Sequence, residues 1–134
     1  MKTAYNKGNH CIYSIQAHAY FVTKCRRKVL TPAMCSRIQE VCANVLVKNR
    51  CTLLEFGGES DHVHLLVDMH PDNNWSHLCG SLKSASSRIV SREFAAEIKP
   101  YIPKGLWGKQ LYLRSAGGAP LSMLQRYIEN HVYG

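Results

Sequence analysis

The sequence predicts an α+β fold in a single domain, with a four-stranded antiparallel sheet and helices packed on one face. The chain has 134 residues, the size of one domain. Hydrophobic residues make up 46% and charged residues 19%, a balance typical of a globular protein with an apolar core. Stretches of strand-like alternation and of helical periodicity follow one another in the order β-α-β-β-α-β-α.

The first two predicted elements are a strand and an amphipathic helix. Residues 11–22 (CIYSIQAHAYFV) approximately alternate polar and apolar side chains and have strand composition. Thr31 followed by Pro32 predicts an N-cap and a first helical turn. Apolar residues then recur at helical spacing, so we expect a helix over residues 32–49.

A hairpin and a second helix form the middle of the predicted domain. Residues 51–56 and 62–69 predict two strands, and Gly-Gly-Glu-Ser at 57–60 predicts the hairpin connection between them. The polar run Asp-Asn-Asn at 72–74 predicts a helix cap. A second apolar stripe at helical spacing then predicts a helix over residues 75–94.

The last third predicts a loop, one strand and one helix. Residues 95–108 contain two prolines and two glycines and predict a loop, and residues 110–114 predict the fourth strand. Ser-Ala-Gly-Gly at 115–118 predicts a flexible joint before a final helix at 120–132. Two β-α-β units around a central hairpin describe a ferredoxin-like sheet, a fold that RNA-recognition modules also use. The predicted last helix of this chain lies outside that core.

Charge favours an anionic partner, and nucleic acid is the commonest one. Lys and Arg number 17 against 9 Asp and Glu, which gives a formal net charge of +8. No apolar run reaches the roughly 18–20 residues of a membrane span, and residues 1–10 lack the apolar core of a signal peptide. The six cysteines form no Cys-x-x-Cys pair, so we expect free thiols in a reducing cytoplasm.

One segment departs from the basic character of the chain. Residues 55–72 carry five acidic side chains, no Lys or Arg, and three of the seven histidines: His62, His64 and His70. A cationic protein around such a segment suggests a polyanion held near a metal ion. On charge alone, a solvated hairpin end accounts for the segment more simply.

His62, Val63 and His64 form the first candidate site. Residues i and i+2 of a strand point to the same face, so the two imidazoles converge. Two imidazoles at this spacing can chelate one divalent cation. The alternative is two polar residues on the solvent face of an edge strand, and the residues alone leave the choice open.

The predicted last helix contains the second candidate site. Tyr127 and His131 are separated by four positions and share a helix face. A tyrosine beside a potential ligand of a phosphate-bound metal is a candidate nucleophile. Taken alone, the pattern is more typical of a half-buried aromatic residue on an amphipathic helix.

Together these residues place the chain near a known family. The sequence resembles the single-tyrosine HUH transposases of bacterial and archaeal mobile elements, the insertion sequence 200/605 group, in which HUH denotes His-hydrophobe-His. The resemblance covers nearly the whole chain. It depends on six segments in order: 23–30 (TKCRRKVL), 61–67 (DHVHLLV), 82–88 (LKSASSR), 106–113 (LWGKQLYL), 115–117 (SAG) and 127–130 (YIEN).

The resemblance implies an active site and a reaction. His62 and His64 match the metal-binding histidines, and Tyr127 matches the nucleophile. His131 lies where the family usually has glutamine as third metal ligand, which is a departure from the pattern. The implied cofactor is a divalent ion, Mg²⁺ or Mn²⁺. The implied activity is cleavage and rejoining of single-stranded DNA at hairpin-bearing element ends through a 5′-phosphotyrosine, without ATP.

The resemblance also implies an assembly. Family members are homodimers whose mobile C-terminal helix brings the tyrosine to the histidines of the other subunit, so the active sites form in trans. Seven basic residues are predicted to hold DNA phosphates, although each is equally compatible with solvated surface. They are Lys24, Arg26, Arg27, Lys28, Lys83, Arg88 and Arg92.

Three alternative functions stay open on sequence grounds. A basic four-stranded sheet also suits a non-catalytic RRM-like nucleic-acid-binding module. Three histidines also suit a zinc hydrolase, which would form no covalent adduct with DNA. A domesticated relative that processes repeated palindromes in its host genome would share the transposase residues.

Overall fold

A computed structural model describes residues 6–8 and 11–116 of the chain. Within this part, six strands, three α-helices and one 3₁₀ turn follow one another. In chain order they are β1 (Asn6–Gly8), β2 (Cys11–Tyr13), β3 (Gln16–Val22), the 3₁₀ turn (Lys24–Arg26), α1 (Pro32–Lys48), β4 (Thr52–Gly58), β5 (His62–Asp68), α2 (Trp75–Glu93), α3 (Ala95–Ile98) and β6 (Tyr112–Ser115).

The central sheet has four antiparallel strands in the order β4-β5-β3-β6. The first and third strands of the predicted β-α-β-β-α-β unit, β3 and β5, lie in the middle, and the second and fourth lie at the edges. This is the strand order of a ferredoxin-like sheet, so the predicted α+β architecture is confirmed.

The two faces of this sheet differ in chemistry. On one face, alternate residues of β3 and β5 pack beneath α1 and α2 in one apolar core, whose fully buried members include Phe21, Met34, Ile38, Leu65 and Leu82. The intervening residues of the same strands point to the opposite face. We call that opposite surface the histidine face, because it carries His18, His62 and His64.

Both long helices begin where their caps predict. The Thr31 hydroxyl accepts a hydrogen bond from the Met34 amide at 3.3 Å, and Pro32 occupies the first turn of α1. The Asn74 side chain accepts from the His77 amide at 3.0 Å and caps α2. The sequence therefore predicted the helix starts correctly.

The predicted strand over residues 11–22 is wrong in its first half. It divides into β2 and β3, and β2 pairs with β1 in a separate two-stranded sheet. The physical reason is the length of the neighbouring strand: β5 ends at Asp68, directly opposite Gln16, the first residue of β3. Beyond the end of β5 the chain leaves the ladder, and Cys11–Tyr13 pair with Asn6–Gly8 instead.

Smaller corrections concern the length of the hairpin connection and the elements predicted over residues 95–114. Gly57 and Gly58 belong to β4, so the hairpin connection is shorter than predicted. The predicted loop contains α3, anchored by the buried Ile98, and the fourth strand is shifted to Tyr112–Ser115. The predicted helix at 120–132, with Tyr127 and His131, lies outside the described residues. None of the described helices is long and apolar enough to span a bilayer.

Candidate active site

The centre of the histidine face is a stack of three rings. Tyr20 lies directly opposite His64 in the pairing of β3 with β5, and Val22 lies opposite His62. The Tyr20 ring stacks on His62 at a centroid distance of 5.5 Å and on His64 at 5.6 Å, with interplanar angles of 13° and 27°. The two imidazoles therefore share a face, as predicted, and the buried Tyr20 ring supports both.

His62 is oriented by the residue that precedes it. Its Nδ1 lies 2.8 Å from Oδ1 of Asp61, while Nε and Nη2 of Arg26 lie 3.3 Å and 3.2 Å from Oδ2 of the same carboxylate. With Nδ1 engaged, Nε2 is the ring nitrogen that can serve a metal. A carboxylate behind a histidine is the usual outer partner of metal-binding imidazoles, because it fixes the tautomer and ring orientation.

Asp61 is suited to this role by its charge. Burial by itself would raise the pKa of this carboxyl group. The hydrogen bond and charge of His62, together with the Arg26 guanidinium, outweigh burial and lower the Asp61 pKa below its ordinary value. The carboxylate is therefore ionised at neutral pH and can hold the His62 N–H.

His64 lies between Tyr20 and Gly57. Gly57 pairs with His64 in the β4–β5 ladder, and a Cβ atom at position 57 would lie 2.5 Å from Nε2 of His64 and closer still to Cε1. Only glycine leaves room for the imidazole in this position. Tyr20 and Gly57 thus restrict the ring from both neighbouring strands.

The surroundings of His64 favour its neutral form. Burial and the nearby His62 lower the pKa of His64 below its ordinary value, although Glu55 and Glu59 act in the opposite direction. Its buried Nδ1 has no hydrogen-bond partner among the described residues. A neutral imidazole with an unsatisfied buried nitrogen is the form that binds a metal or donates to a further ligand.

These two histidines fit a divalent metal as part of its ligand set. Among residues 6–8 and 11–116, no cluster of three or more His, Cys, Asp or Glu side chains is arranged to hold an ion. His62 and His64 could provide two nitrogen ligands to an ion such as Mn²⁺ or Zn²⁺, which would leave further positions for other ligands. The predicted third ligand, His131, lies outside the described part.

Sequence reasoning missed three contributors to this site. Asp61 was visible as the residue before His62, and its role follows once His62 is placed on a strand. Tyr20 required the pairing register of β3 with β5. Gly57 required a bulge: the register shifts by one residue between Leu53 and Glu55, and this shift places Gly57 opposite His64.

The third histidine of the acidic segment does not join the pair. His70 follows β5 and packs edge-on against Tyr13 with ring centroids 5.4 Å apart. Its Nδ1 accepts a hydrogen bond from the Asp72 amide at 3.1 Å. His18 instead lies on the histidine face, where burial and Arg114 lower its pKa against the opposing charge of Glu55.

The predicted phosphate-binding residues fall into two groups. Lys24, Arg26, Arg27 and Lys28 lie in and after the 3₁₀ turn, which directly follows β3 at the His62 end of the sheet. Arg26 is paired with Asp61, whereas Arg27 and Lys28 are exposed. This group is therefore near the histidine pair.

The second group lies on α2, which covers the opposite face of the sheet. Arg88 and Arg92 are exposed there. The Lys83 ammonium donates to the carbonyl oxygens of Gly108 at 2.7 Å and Gln110 at 3.2 Å, and burial lowers its pKa. Lys83 thus holds the segment before β6, and the structure does not bring this group to the histidine pair.

Known proteins match this chain in sequence. Residues 11–131 match the family described as transposase, IS200-like. The ISDra2 transposase TnpA of Deinococcus radiodurans is 26% identical over 129 residues, covering 92% of this chain and 89% of that protein. The IS200 transposase of Salmonella typhimurium is 22% identical over 123 residues, covering 92% of this chain and 80% of that protein.

Two solved structures share the fold. A crystal structure of a putative transposase from Deinococcus radiodurans superposes with a TM-score of 0.85 at 24% identity, covering 96% of this chain and 99% of that chain. A REP-associated tyrosine transposase bound to a REP hairpin superposes with a TM-score of 0.57 at 9% identity, covering 92% of this chain and 69% of that chain.

Proposed function

Because the chain belongs to the family of IS200-like transposases, we propose that it cuts and rejoins single-stranded DNA with Tyr127 as the nucleophile. The observation that supports this most strongly is the oriented pair of imidazoles on the histidine face. His62 is fixed by Asp61 and Arg26, and His64 by Tyr20 and Gly57. A pair restrained in this way is prepared for binding rather than free in solvent.

The pair would hold a divalent ion, Mg²⁺ or Mn²⁺, with His131 as the proposed third ligand. When bound, such an ion polarises a phosphoryl oxygen and neutralises charge that develops during displacement. Asp61 keeps His62 in the ligand tautomer, and His62 itself, together with the Arg26 guanidinium, lowers the pKa of that carboxyl group and keeps it ionised. These residues thus orient the imidazoles that would hold the ion beside the scissile phosphate.

The proposed reaction conserves the energy of the phosphodiester bond. The phenolic oxygen of Tyr127 forms a bond to phosphorus as the bond to the 3′ oxygen breaks. The phenol loses a proton and the departing 3′ oxygen gains one, which gives a 5′-phosphotyrosine and a free 3′-OH. Attack of another 3′-OH on this link rejoins DNA without ATP, because a phenol is a good leaving group.

The proposed substrate is a single-stranded DNA hairpin at a transposon end. One structural neighbour is bound to a REP hairpin, which supports this substrate class by analogy. The exposed Arg27 and Lys28 lie at the His62 end of the sheet, where they can hold backbone phosphates. Binding through these residues should weaken steeply as salt concentration rises.

We also propose a homodimer in which Tyr127 of one subunit works with the histidines of the other. The test mixes Tyr127→Phe and His64→Ala subunits, each inactive alone. A trans arrangement restores one intact site in the mixed dimer, and cleavage returns. Efficient subunit exchange without any cleavage would rule out the trans arrangement.

End-labelled DNA tests the proposed chemistry. The protein is incubated with Mn²⁺ and a single-stranded hairpin that carries a label on either its 5′ or its 3′ end, and the products are separated under denaturing conditions. A 5′-phosphotyrosine retains the 3′-labelled fragment on the protein and releases the 5′-labelled one. Label retention from the 5′ end, or cleavage without an adduct, would contradict the proposal and favour a hydrolase.

A further inference from the structure

A cleft beside the 3₁₀ turn is separate from the histidine pair. It has a volume of about 310 Å³ and lies between the turn after β3 and the loop after α3. We call it the Tyr101 cleft. Its lining residues are Lys24, Cys25, Arg27, Tyr101, Ile102, Pro103 and Lys104.

The cleft combines a flat aromatic surface with a basic rim. Tyr101 is 61% exposed, and the buried Ile102 lies next to it. Lys24, Arg27 and Lys104 supply three positive charges, and none of the lining residues is acidic. An aromatic surface bordered by cations suits a planar ring that has a negatively charged group attached on either side.

The walls of the cleft are fixed by the backbone. The Lys24 amide donates to the Leu106 carbonyl at 3.1 Å, and the Thr23 hydroxyl donates to the Arg27 carbonyl at 2.7 Å. The Lys24 ammonium contacts the Lys104 carbonyl oxygen, which links the two walls. A site with fixed walls loses little conformational entropy when it binds a ligand.

The turn itself has an uncommon conformation. Cys25 and Arg26 both have positive φ angles, 54° and 52°, although neither is glycine. Such residues cost conformational energy and persist where the surrounding contacts demand them. Here the turn directs Arg26 to Asp61 and leaves Lys24 and Arg27 on the cleft, so the same turn serves both the histidine pair and the Tyr101 cleft.

We propose that the Tyr101 cleft binds one base of single-stranded DNA, stacked on the Tyr101 ring, with the flanking phosphates on the basic rim. This proposal rests on the proposed function, since it adds a contact for the same strand that the histidine pair would cleave. Every base has a π-face, so stacking on tyrosine combined with a basic groove binds single strands without reading their sequence.

The test compares two probes that differ only in their bases. Fluorescence anisotropy measures binding of the full chain to a twelve-nucleotide oligothymidylate and to an abasic strand with the same number of phosphates. Tyr101→Ala should weaken oligothymidylate binding by about five- to a hundredfold, the range of one lost stacking contact. It should leave binding of the abasic strand unchanged, and Tyr101→Trp should retain the affinity for both.

A matched control is available at another exposed apolar position. Val47 is 70% exposed on α1, so Val47→Ala removes exposed apolar surface away from the cleft and should change neither affinity. Equal affinities for Tyr101→Ala and the parent, or equal losses on both probes, would overturn the proposal. A loss for Tyr101→Ala that is confined to oligouridylate, with oligothymidylate binding unchanged, would show that the cleft serves RNA instead.

Cys25 gives an independent readout, because its side chain is exposed and lines the cleft. Saturating oligothymidylate should slow alkylation of Cys25 by a maleimide at least severalfold, as measured by peptide mass spectrometry. Unchanged alkylation would show that the strand binds elsewhere.

The cleft proposal and the proposed function can fail separately. If the parent forms the covalent adduct while Tyr101→Ala binds normally, only the cleft proposal is contradicted. If binding depends on Tyr101 but no adduct forms, the proposed cleavage is contradicted and the cleft proposal stands.

Discussion

The two faces of the central sheet are built from the same strands and are held by different forces. On β5, Val63, Leu65 and Val67 are fully buried against the helices, while His62 and His64 alternate with them and point to the other side. The helix-covered face is stabilised by apolar burial, which is non-directional. The histidine face is held by ring stacking, one ion-pair network and a close approach to glycine.

This difference separates stability from chemistry along a single strand. Apolar side chains of similar volume can replace one another in a core with modest cost, because packing requires shape but no particular functional group. Each member of the histidine face instead depends on a specific neighbour, such as Asp61 for His62. Substitutions along β5 should therefore alternate in effect. Those at the histidine positions should reduce function, and those at the buried apolar positions should reduce stability.

The largest effect is expected for His64→Ala. We expect DNA cleavage to fall by more than the about 10- to 100-fold that loss of an outer metal partner costs, since a proposed ligand itself is removed. The melting temperature should change little, because the side chain lies outside the apolar core. Unchanged cleavage across Mg²⁺ and Mn²⁺ would exclude His64 as a ligand.

The neighbouring substitution Leu65→Ala should give the opposite result. Leu65 is fully buried, and truncation of such a leucine lowers the free energy of unfolding by about 2–5 kcal/mol. Urea denaturation measures this loss, and the fraction that stays folded should still cleave DNA. A stable Leu65→Ala protein with abolished cleavage would break the proposed division between the two faces.

Gly57→Ala tests the space around His64. The added methyl group meets the imidazole ring, so we expect the ring to be displaced and Mn²⁺ affinity, measured by calorimetry, to fall by roughly tenfold or more, as for other disturbed ligand orientations.

The matched control is Gly80→Ala on α2, where an added Cβ has nothing within 4 Å. That change should leave Mn²⁺ affinity unaltered and stabilise the helix by about 0.5–1 kcal/mol. Equal Mn²⁺ affinities for Gly57→Ala and Gly80→Ala would show that position 57 does not constrain the ligand.

The smallest effect is expected for Asp61→Asn, which preserves size and removes the charge that holds His62 and Arg26. We expect cleavage to fall by about tenfold, the lower end for loss of an outer metal partner. A rate equal to the parent's would show that the tautomer of His62 is set by some other contact. The fold should be retained, which circular dichroism checks.

Much of the helix-covered face follows from local sequence. Thr31, Pro32 and Asn74 mark the helix starts, and the apolar periodicity after them predicts which sides are buried. The strand order also follows from the β-α-β-β-α-β pattern. The helix starts and their buried sides depend on residues close together in the chain, which is why the local pattern was sufficient to predict them.

Only part of the histidine face could be predicted from the sequence, because the contacts of Tyr20 and Gly57 depend on the register in which β5 pairs with β3 and β4. The pair His62 and His64 is visible as alternation within one strand. Without the bulge after Leu53, Phe56 would lie opposite His64 and Gly57 opposite Val63. The break of the first strand at Gln16 similarly depends on where β5 ends. Neither the bulge nor the strand end has a signal in the local pattern.

The most direct test of the catalytic assignment is to locate the covalent link between protein and DNA. Trypsin cuts after Arg126 and releases residues 127–134, which contain Tyr127 and Tyr133. After reaction with a single-stranded hairpin and Mn²⁺, tandem mass spectrometry should find the phosphonucleotide on Tyr127. The adduct should be absent from Tyr127→Phe and from His64→Ala. A nucleotide on any other residue, or an undiminished adduct in His64→Ala, would contradict the account.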